Sequence, residues 1–280
     1  MNQPVSAIEK RKIEHLDLCV NNDVSFHEKT TLLECIELSY KCLPEISLSE
    51  VNLSTEFLGK KFSFPFMVSG MTGGAQVAKR INLDIARACQ ELGIGMGLGS
   101  MRAMLKQPAL LDTYYVRDVA PDIFLAGNIG TAQLKEYSPT QLDEALNAIE
   151  ADALAIHLNA AQESVQPEGD ANFSGLISKI AEFSEALSLP VYVKEVGHGV
   201  SYEVANALKE TKIKAIDVQG AGGTSWIAVD ALRHKKGFGL AFREFGIPTA
   251  VSVIKTKSAI HGTNKKLIAS SLNPTLLKFS

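Results

Sequence analysis

From about residue 62 the chain alternates short apolar runs with stretches of helical periodicity. The apolar runs are FPFMVSG (64–70), IGMGLGS (94–100), IFLAGNIG (123–130), ALAIHLN (153–159), VYVKEVG (191–197), AIDVQG (215–220) and KKLIAS (265–270). Continuous apolar strands separated by amphipathic helices are the pattern of a parallel sheet whose outer face is covered. Their repeat of roughly 25–35 residues suits successive βα units. A helix is expected over 75–93, and a sixth helix within 242–260 with Pro248 near its start.

Glycine and polar residues gather just after the strands, as MTGG, GSMR, GNIG, HLNAAQE, KEVGHG and GAGGTSW. A doubly wound sheet concentrates its ligand groups at one switch point, whereas a barrel brings every strand-end loop to one face. Many decorated strand ends favour an α/β fold of the TIM (β/α)₈-barrel type. One domain over 1–280 is expected, with an N-terminal extension of about sixty residues. After KKLIAS only SLNPTLLKFS remains, too short for a further helix, strand and closing helix. The barrel is therefore expected to be incomplete, lacking the eighth strand and its flanking helices, with two open edges. The abrupt change of sequence there reads as a frameshift or truncation.

Composition narrows the class. At 46% hydrophobic and 21% charged residues the chain can bury a sizeable core. A net charge of -3 argues against broad nucleic-acid binding while leaving room for a small basic pocket. The four cysteines show neither C-x-x-C spacing nor His partners, so reduced, mostly buried thiols are expected. The N-terminus lacks the apolar segment of a secretory signal, and no run reaches the ~20 apolar residues of a membrane span. A soluble, cytoplasmic protein follows as the expectation.

The candidate chemistry is spread over the chain. Arg102 follows the second strand, and Arg11 and Lys12 precede the barrel. Distant cations brought together would suit a diphosphate, although an isolated Arg-Lys pair is by default solvated surface charge. His157, Asn159, Gln162, Glu163, Glu168 and Asp170 crowd one strand-end segment of fourteen positions, costly unless it binds something. Glu163 could hold a hard cation such as Mg²⁺ together with phosphate oxygens. Lys194 ends an apolar strand, where it could face a reduced flavin; the alternatives are a pair with Glu195 or a snorkelling surface lysine. The glycines of GAGGTSW allow close approach of a ligand, with Thr224 and Ser225 to bond it. GIGMGLG (93–99) lacks nucleotide-fingerprint spacing and is discounted. His15, His27, His198, His234 and His261 read as ordinary polar or core histidines.

Taken in order, R-K-x-E-H (11–15), P-F-M-V-S-G-M-T-G-G (65–74), G-S-M-R (99–102), G-N-I-G (127–130), H-L-N-x-x-Q-E-x-x-x-P-E-G-D (157–170), V-K-E-V-G-x-G (193–199), G-A-G-G-T-S-W (220–226) and F-G-I-P-T-A (245–250) resemble the type 2 isopentenyl diphosphate isomerases. The likeness spans about residues 8 to 269, and the 157–170 block is its most specific part. It implies an FMN-binding barrel, with Mg²⁺ bridging a carboxylate and the substrate diphosphate, and flavin reduction by NADPH without net redox change. By that resemblance Met71, Thr72, Gly73, Ser100, Asn128, Lys194 and Thr224 contact FMN. Arg11, Lys12, Ser100, Arg102 and Gln162 hold the substrate, and Glu163 holds the metal. Gln162 and His157 stand at the catalytic centre, His157 beside the diphosphate and Gln162 orienting groups near the alkene. His15 gains a role only through the resemblance. Open sheet edges and the family's habit point to a homo-oligomer.

The sequence departs from the family in two places. Gln219 stands where the family usually has Ser, altering one flavin contact. The Gly-Gly and Ala-Leu-Gly loops that cradle the FMN phosphate do not follow Ile268-Ala269. Two other readings remain open: a catalytically inactive remnant, and another FMN barrel such as a hydroxy-acid oxidase or a dihydroorotate-type dehydrogenase.

Overall fold

The computed structural model describes residues 7–234 and 237–271. The chain opens with helix α1 (Ala7–Asn21), and an antiparallel hairpin follows, β1 (Thr55–Phe57) and β2 (Lys60–Phe62). The βα series then runs β3 (Met67–Val68), α2 (Gln76–Leu92), β4 (Gly95–Gly97), α3 (Arg102–Lys106), β5 (Leu125–Gly130), α4 (Pro139–Ala148), β6 (Ala153–His157), α5 (Ala160–Val165), α6 (Leu176–Ala186), β7 (Val191–Lys194), α7 (Tyr202–Leu208), β8 (Ala215–Asp217), α8 (Trp226–Arg233), α9 (Gly237–Leu240), α10 (Thr249–Ala259) and β9 (Lys266–Ile268). Strands β3 to β9 form one parallel sheet in sequential order.

This is seven-eighths of a (β/α)₈ barrel: among the described residues no strand joins β9 back to β3. The expectation about SLNPTLLKFS falls, from Leu272 onward, outside the described residues. The sixth helix lies within 242–260 as expected, beginning at Thr249 with Pro248 as its extended N-cap. The hairpin β1–β2 was not anticipated. Its two-residue loop puts Leu58 at φ 48 and Gly59 at φ 86, the double left-handed geometry of a tight hairpin turn.

The period-2 geometry of the strands sorts their residues between two cores. Inside the barrel, Ala126, Ala153, Ala155, Tyr192 and Ala215 pack with Phe62 and Phe124. Small residues there leave room for the hairpin's Phe57, whose ring meets those of Phe124 at 5.2 Å and Tyr192 at 6.2 Å. The alternate residues Leu125, Leu154, Ile156, Val193 and Ile216 face outward into the larger core beneath the helices. Helix α2 joins it through a single stripe, Ala78, Asn82, Ala86 and Cys89, and ends where Gly93 turns left-handed at φ 64.

All four cysteines are free, but only Cys89 is buried, contrary to the expectation; Cys35 and Cys42 are exposed. They lie on the long segment between α1 and the hairpin, where no core covers them. No helix among the described residues is long and apolar enough to cross a membrane.

Candidate active site

The inward rows of the barrel continue upward to its C-terminal mouth. Two residues beyond Ala126, Ala155, Tyr192 and Ala215 on their strands stand Asn128, His157, Lys194 and Asp217. In register His157 lies beside Lys194, and Lys194 beside Asp217. Strand alternation therefore delivers one polar ring above the apolar interior.

Hydrogen bonds fix how the ring presents itself. The Asn128 amide nitrogen donates to the Leu98 carbonyl at 2.9 Å, so its oxygen faces the His157 Nδ1 at 2.8 Å. That oxygen can only accept, so Nδ1 carries the proton and Nε2 is left as an acceptor. Burial, then Lys194, Lys12 and Arg11, push the His157 pKa well below the ordinary value, so the ring is neutral at neutral pH. Lys194 is buried and donates to the Glu195 carbonyl at 2.8 Å and to Gln219 Oε1 at 3.1 Å. Neither alternative for it holds: it is no surface lysine, and the Glu195 carboxylate turns away to accept backbone N–H groups from Val196, Gly197 and His198.

Other elements complete the wall. Helix α1 brings Arg11, Lys12 and His15, the loop after β4 brings Ser100, and α3 brings Arg102. The segment after β6, read from sequence as a loop, is the short helix α5, whose first turns carry Gln162 and Glu163. The helix follows Asn159, whose side-chain amide donates to Gln162 Oε1 at 3.3 Å and to Glu163 Oε1 at 2.9 Å and so orients both side chains. One cavity is lined by Arg11, Lys12, Met71, Ser100, Arg102, Asn128, His157, Gln162, Glu163 and Lys194 together. Thr72 and Gly73 are buried in the loop behind it, and Thr224 is exposed outside its lining.

Several lining groups escaped the sequence reading. Trp226 lines the cavity and meets the His15 ring edge-on at 5.4 Å. Gln166 and Gln133 line it as well. Beneath lies Asp230, fully buried on α8, which accepts from His15 at 3.1 Å and from both Gln162 and Gln166 at 2.7 Å. No local motif announces Asp230; it reads as an ordinary helix residue until α8 packs on α1 and α5.

The electrostatics are lopsided. Arg11, Lys12, Arg102 and Lys194 all point into a space whose lining contains one carboxylate, Glu163. Burial first, then Arg11, lowers Lys12 to about 8. Burial and then Arg102 lower Arg11. Mutual repulsion of this kind is relieved by a bound polyanion. Arg102 reaches Glu136 only at 3.5 Å, and its Nε is buried without a partner.

A parallel barrel with a cationic, water-accessible mouth defines an α/β-barrel enzyme of the kind that takes a phosphorylated small molecule. A family model described as FMN-dependent dehydrogenase matches residues 6–107. The isopentenyl-diphosphate delta-isomerase of Pyrococcus abyssi is 47% identical over 272 residues, covering 93% of this chain and 72% of that protein. Those of Thermococcus kodakarensis and Methanosarcina mazei are 48% and 40% identical, covering 89% and 91% of this chain and 70% and 72% of theirs. The crystal structure of the monotopic membrane protein (S)-mandelate dehydrogenase shares the fold, with a TM-score of 0.50 at 12% identity over 95% of this chain and 87% of that one. The chain belongs to the isopentenyl-diphosphate delta-isomerase family.

Proposed function

We propose that the protein interconverts isopentenyl diphosphate and dimethylallyl diphosphate, using reduced FMN and Mg²⁺. The observation that carries this reading is the cation cluster Arg11, Lys12, Arg102 and Lys194 around one cavity that also holds the His157 and Gln162 side chains. Arg11, Lys12, Ser100 and Arg102 bind the diphosphate, Arg102 through a guanidinium whose Nε awaits an acceptor. Neutral His157 offers Nε2 beside that anion, and uptake of one proton there on binding turns it into a donor. The N-terminal extension, about residues 1–60, thus serves the substrate through Arg11 and Lys12.

The residues of the cavity wall fit the ring of a flavin. The Thr72 hydroxyl is buried without a hydrogen-bond partner, next to Met71 on the cavity wall. Met71, Thr72, Gly73, Ser100, Asn128 and Lys194 would hold FMN, whereas Thr224, expected to contact it, lies outside the cavity lining. When bound, reduced FMN supplies the acid–base capacity toward an unactivated alkene that no side chain here possesses. Gln162 orients its surroundings, because Asp230 and Asn159 hold both ends of its amide. The apolar interior below the ring keeps water from the developing cationic carbon.

Glu163 fits Mg²⁺ as a single carboxylate. Its oxygens accept from Asn159 and from the Asp170 N–H at 2.8 Å and keep lone pairs to spare. Among the described residues no three His, Cys, Asp or Glu side chains gather to hold a metal, so substrate oxygens would complete the shell. NADPH as reductant, a homo-oligomeric assembly, a cytoplasmic setting and a place in isoprenoid biosynthesis belong to the same reading.

The test is incubation with reduced FMN, Mg²⁺ and isopentenyl diphosphate, scoring dimethylallyl diphosphate. Absence of product from protein that binds flavin and diphosphate rejects the reading. The alternative reading, an FMN barrel oxidoreductase, has a separate test: that enzyme would bleach its flavin on adding a hydroxy acid under anaerobic conditions.

A further inference from the structure

The geometry points to Gln219 as the positioning residue for Lys194, fixing the ammonium where a reduced flavin needs it and tying the mouth together across the open side of the sheet. The inference rests on the flavin reading above and adds a role for a residue at which this chain departs from the family resemblance.

Gln219 follows β8 by two residues, is buried, and holds the left-handed backbone angle φ 33. A non-glycine residue in that region is strained by about 1 kcal/mol or more unless its surroundings hold it there. Its amide explains what holds it. Oε1 accepts from Lys194 Nζ at 3.1 Å, while Nε2 donates to the Ser69 hydroxyl and to Asp217 Oδ2 at 3.3 Å. The orientation admits no flip, because an ammonium only donates and a carboxylate only accepts.

The three partners come from three places: β7, β8, and the residue just after β3. Strands β3 and β9 are not paired with each other, so the Gln219–Ser69 bond spans the open side at the height of the mouth. A cavity of about 510 Å³ lies below it, walled by Phe57, Met67, Ile268, Ser69, Asp217 and Ser270. Without the bridge, Lys194 keeps one hydrogen-bond acceptor, the Glu195 carbonyl. Serine at this position is too short to reach both Lys194 and Ser69.

The experiment compares dissociation constants for oxidised and reduced FMN, measured anaerobically by fluorescence and absorbance titration. The proteins are the wild type, Gln219→Leu, Lys194→Met and the double variant. A fixed ammonium favours the anionic reduced form, so the wild type should bind reduced FMN more tightly than oxidised. Gln219→Leu should shrink that preference about tenfold, roughly 1.4 kcal/mol, and should add nothing in the Lys194→Met background. A Gln219→Leu preference equal to wild type, or an equal effect in both backgrounds, overturns the inference while leaving the flavin reading intact. Failure of the wild type to bind either form of FMN defeats both.

Discussion

Single residues at the mouth carry opposing demands of burial and charge, and those demands set the pH response. Lys12, lowered to about 8 by burial and by Arg11, holds a diphosphate only while protonated. The KM for isopentenyl diphosphate should therefore rise severalfold between about pH 7 and about pH 9, and Lys12→Arg should move that rise to higher pH. The stability trend has the opposite sign. From about 8 up to its ordinary 10.5, Lys12 binds protons more readily in the unfolded chain, so this group makes the ligand-free protein more stable as pH climbs through that window. Asp230 makes a second prediction at this scale. Its carboxylate collects donors from His15, Gln162 and Gln166, and Asp230→Asn turns a donor against them. We expect kcat to fall at least tenfold, with stability reduced by about 2 kcal/mol, read from steady-state kinetics and urea melts.

At the scale of elements, the fold depends on how strands and loops are pinned at the end of the barrel remote from the site. Arg117 is buried and donates to the carbonyls of Glu150 at 2.7 Å and Ile123 at 2.8 Å, and to Asp152 at 2.8 Å. Asp152 in turn accepts from the Leu125 N–H at 2.8 Å and pairs with Lys60 of the hairpin at 3.2 Å. This clamp joins the entrances of β5 and β6 to β2. Arg117→Met should cost about 3 kcal/mol, because it leaves the carbonyls of Ala120, Ile123 and Glu150 without their donor and removes one of the partners of Asp152. The cost would appear as a lower melting temperature with little change in KM, since the clamp lies far from the mouth. All seven strands of the sheet were legible in the sequence within a few residues, whereas the sorting of their residues between two cores was not, because the runs are continuously apolar. The hairpin was not: its turn uses Leu58 at positive φ, a residue that gives no turn signal, and its value lies in plugging a barrel that the local sequence cannot reveal.

For the molecule as a whole, β3 and β9 are the edges of the sheet among the described residues. Strands β5, β6 and β7 have hydrogen-bonded neighbours on both sides and are largely buried, whereas β3 and β9 each have one among the described residues. Hydrogen exchange should be fastest at Val68 and at Leu267–Ile268 and slowest at Ala126–Ile129, Leu154–Ile156 and Val193. Equal protection across the sheet would mean that the edges are covered in solution, and cross-linking would then identify by what. The long segment before the hairpin, with Leu38, Tyr40, Leu43 and Leu48 exposed, contributes little packing of its own and should exchange early as well.

Much of the site was already present in the linear pattern. Strand geometry puts every second side chain on one face, so His157, Lys194 and Asp217 share faces with Ala155, Tyr192 and Ala215; that this row looks inward is decided by the curling of the sheet, since the strands are apolar on both sides. Spacing alone could not say that α1 would fold back to bring Arg11 and Lys12 over that row. Nor could it show that Asp230 and Trp226 of α8 would reach under and beside it, or that Gln219 would span the gap to Ser69. Alternation is a property of the local backbone, so sequence determines it. The meeting of groups tens or hundreds of residues apart depends on which surfaces pack together, and only the tertiary structure decides that.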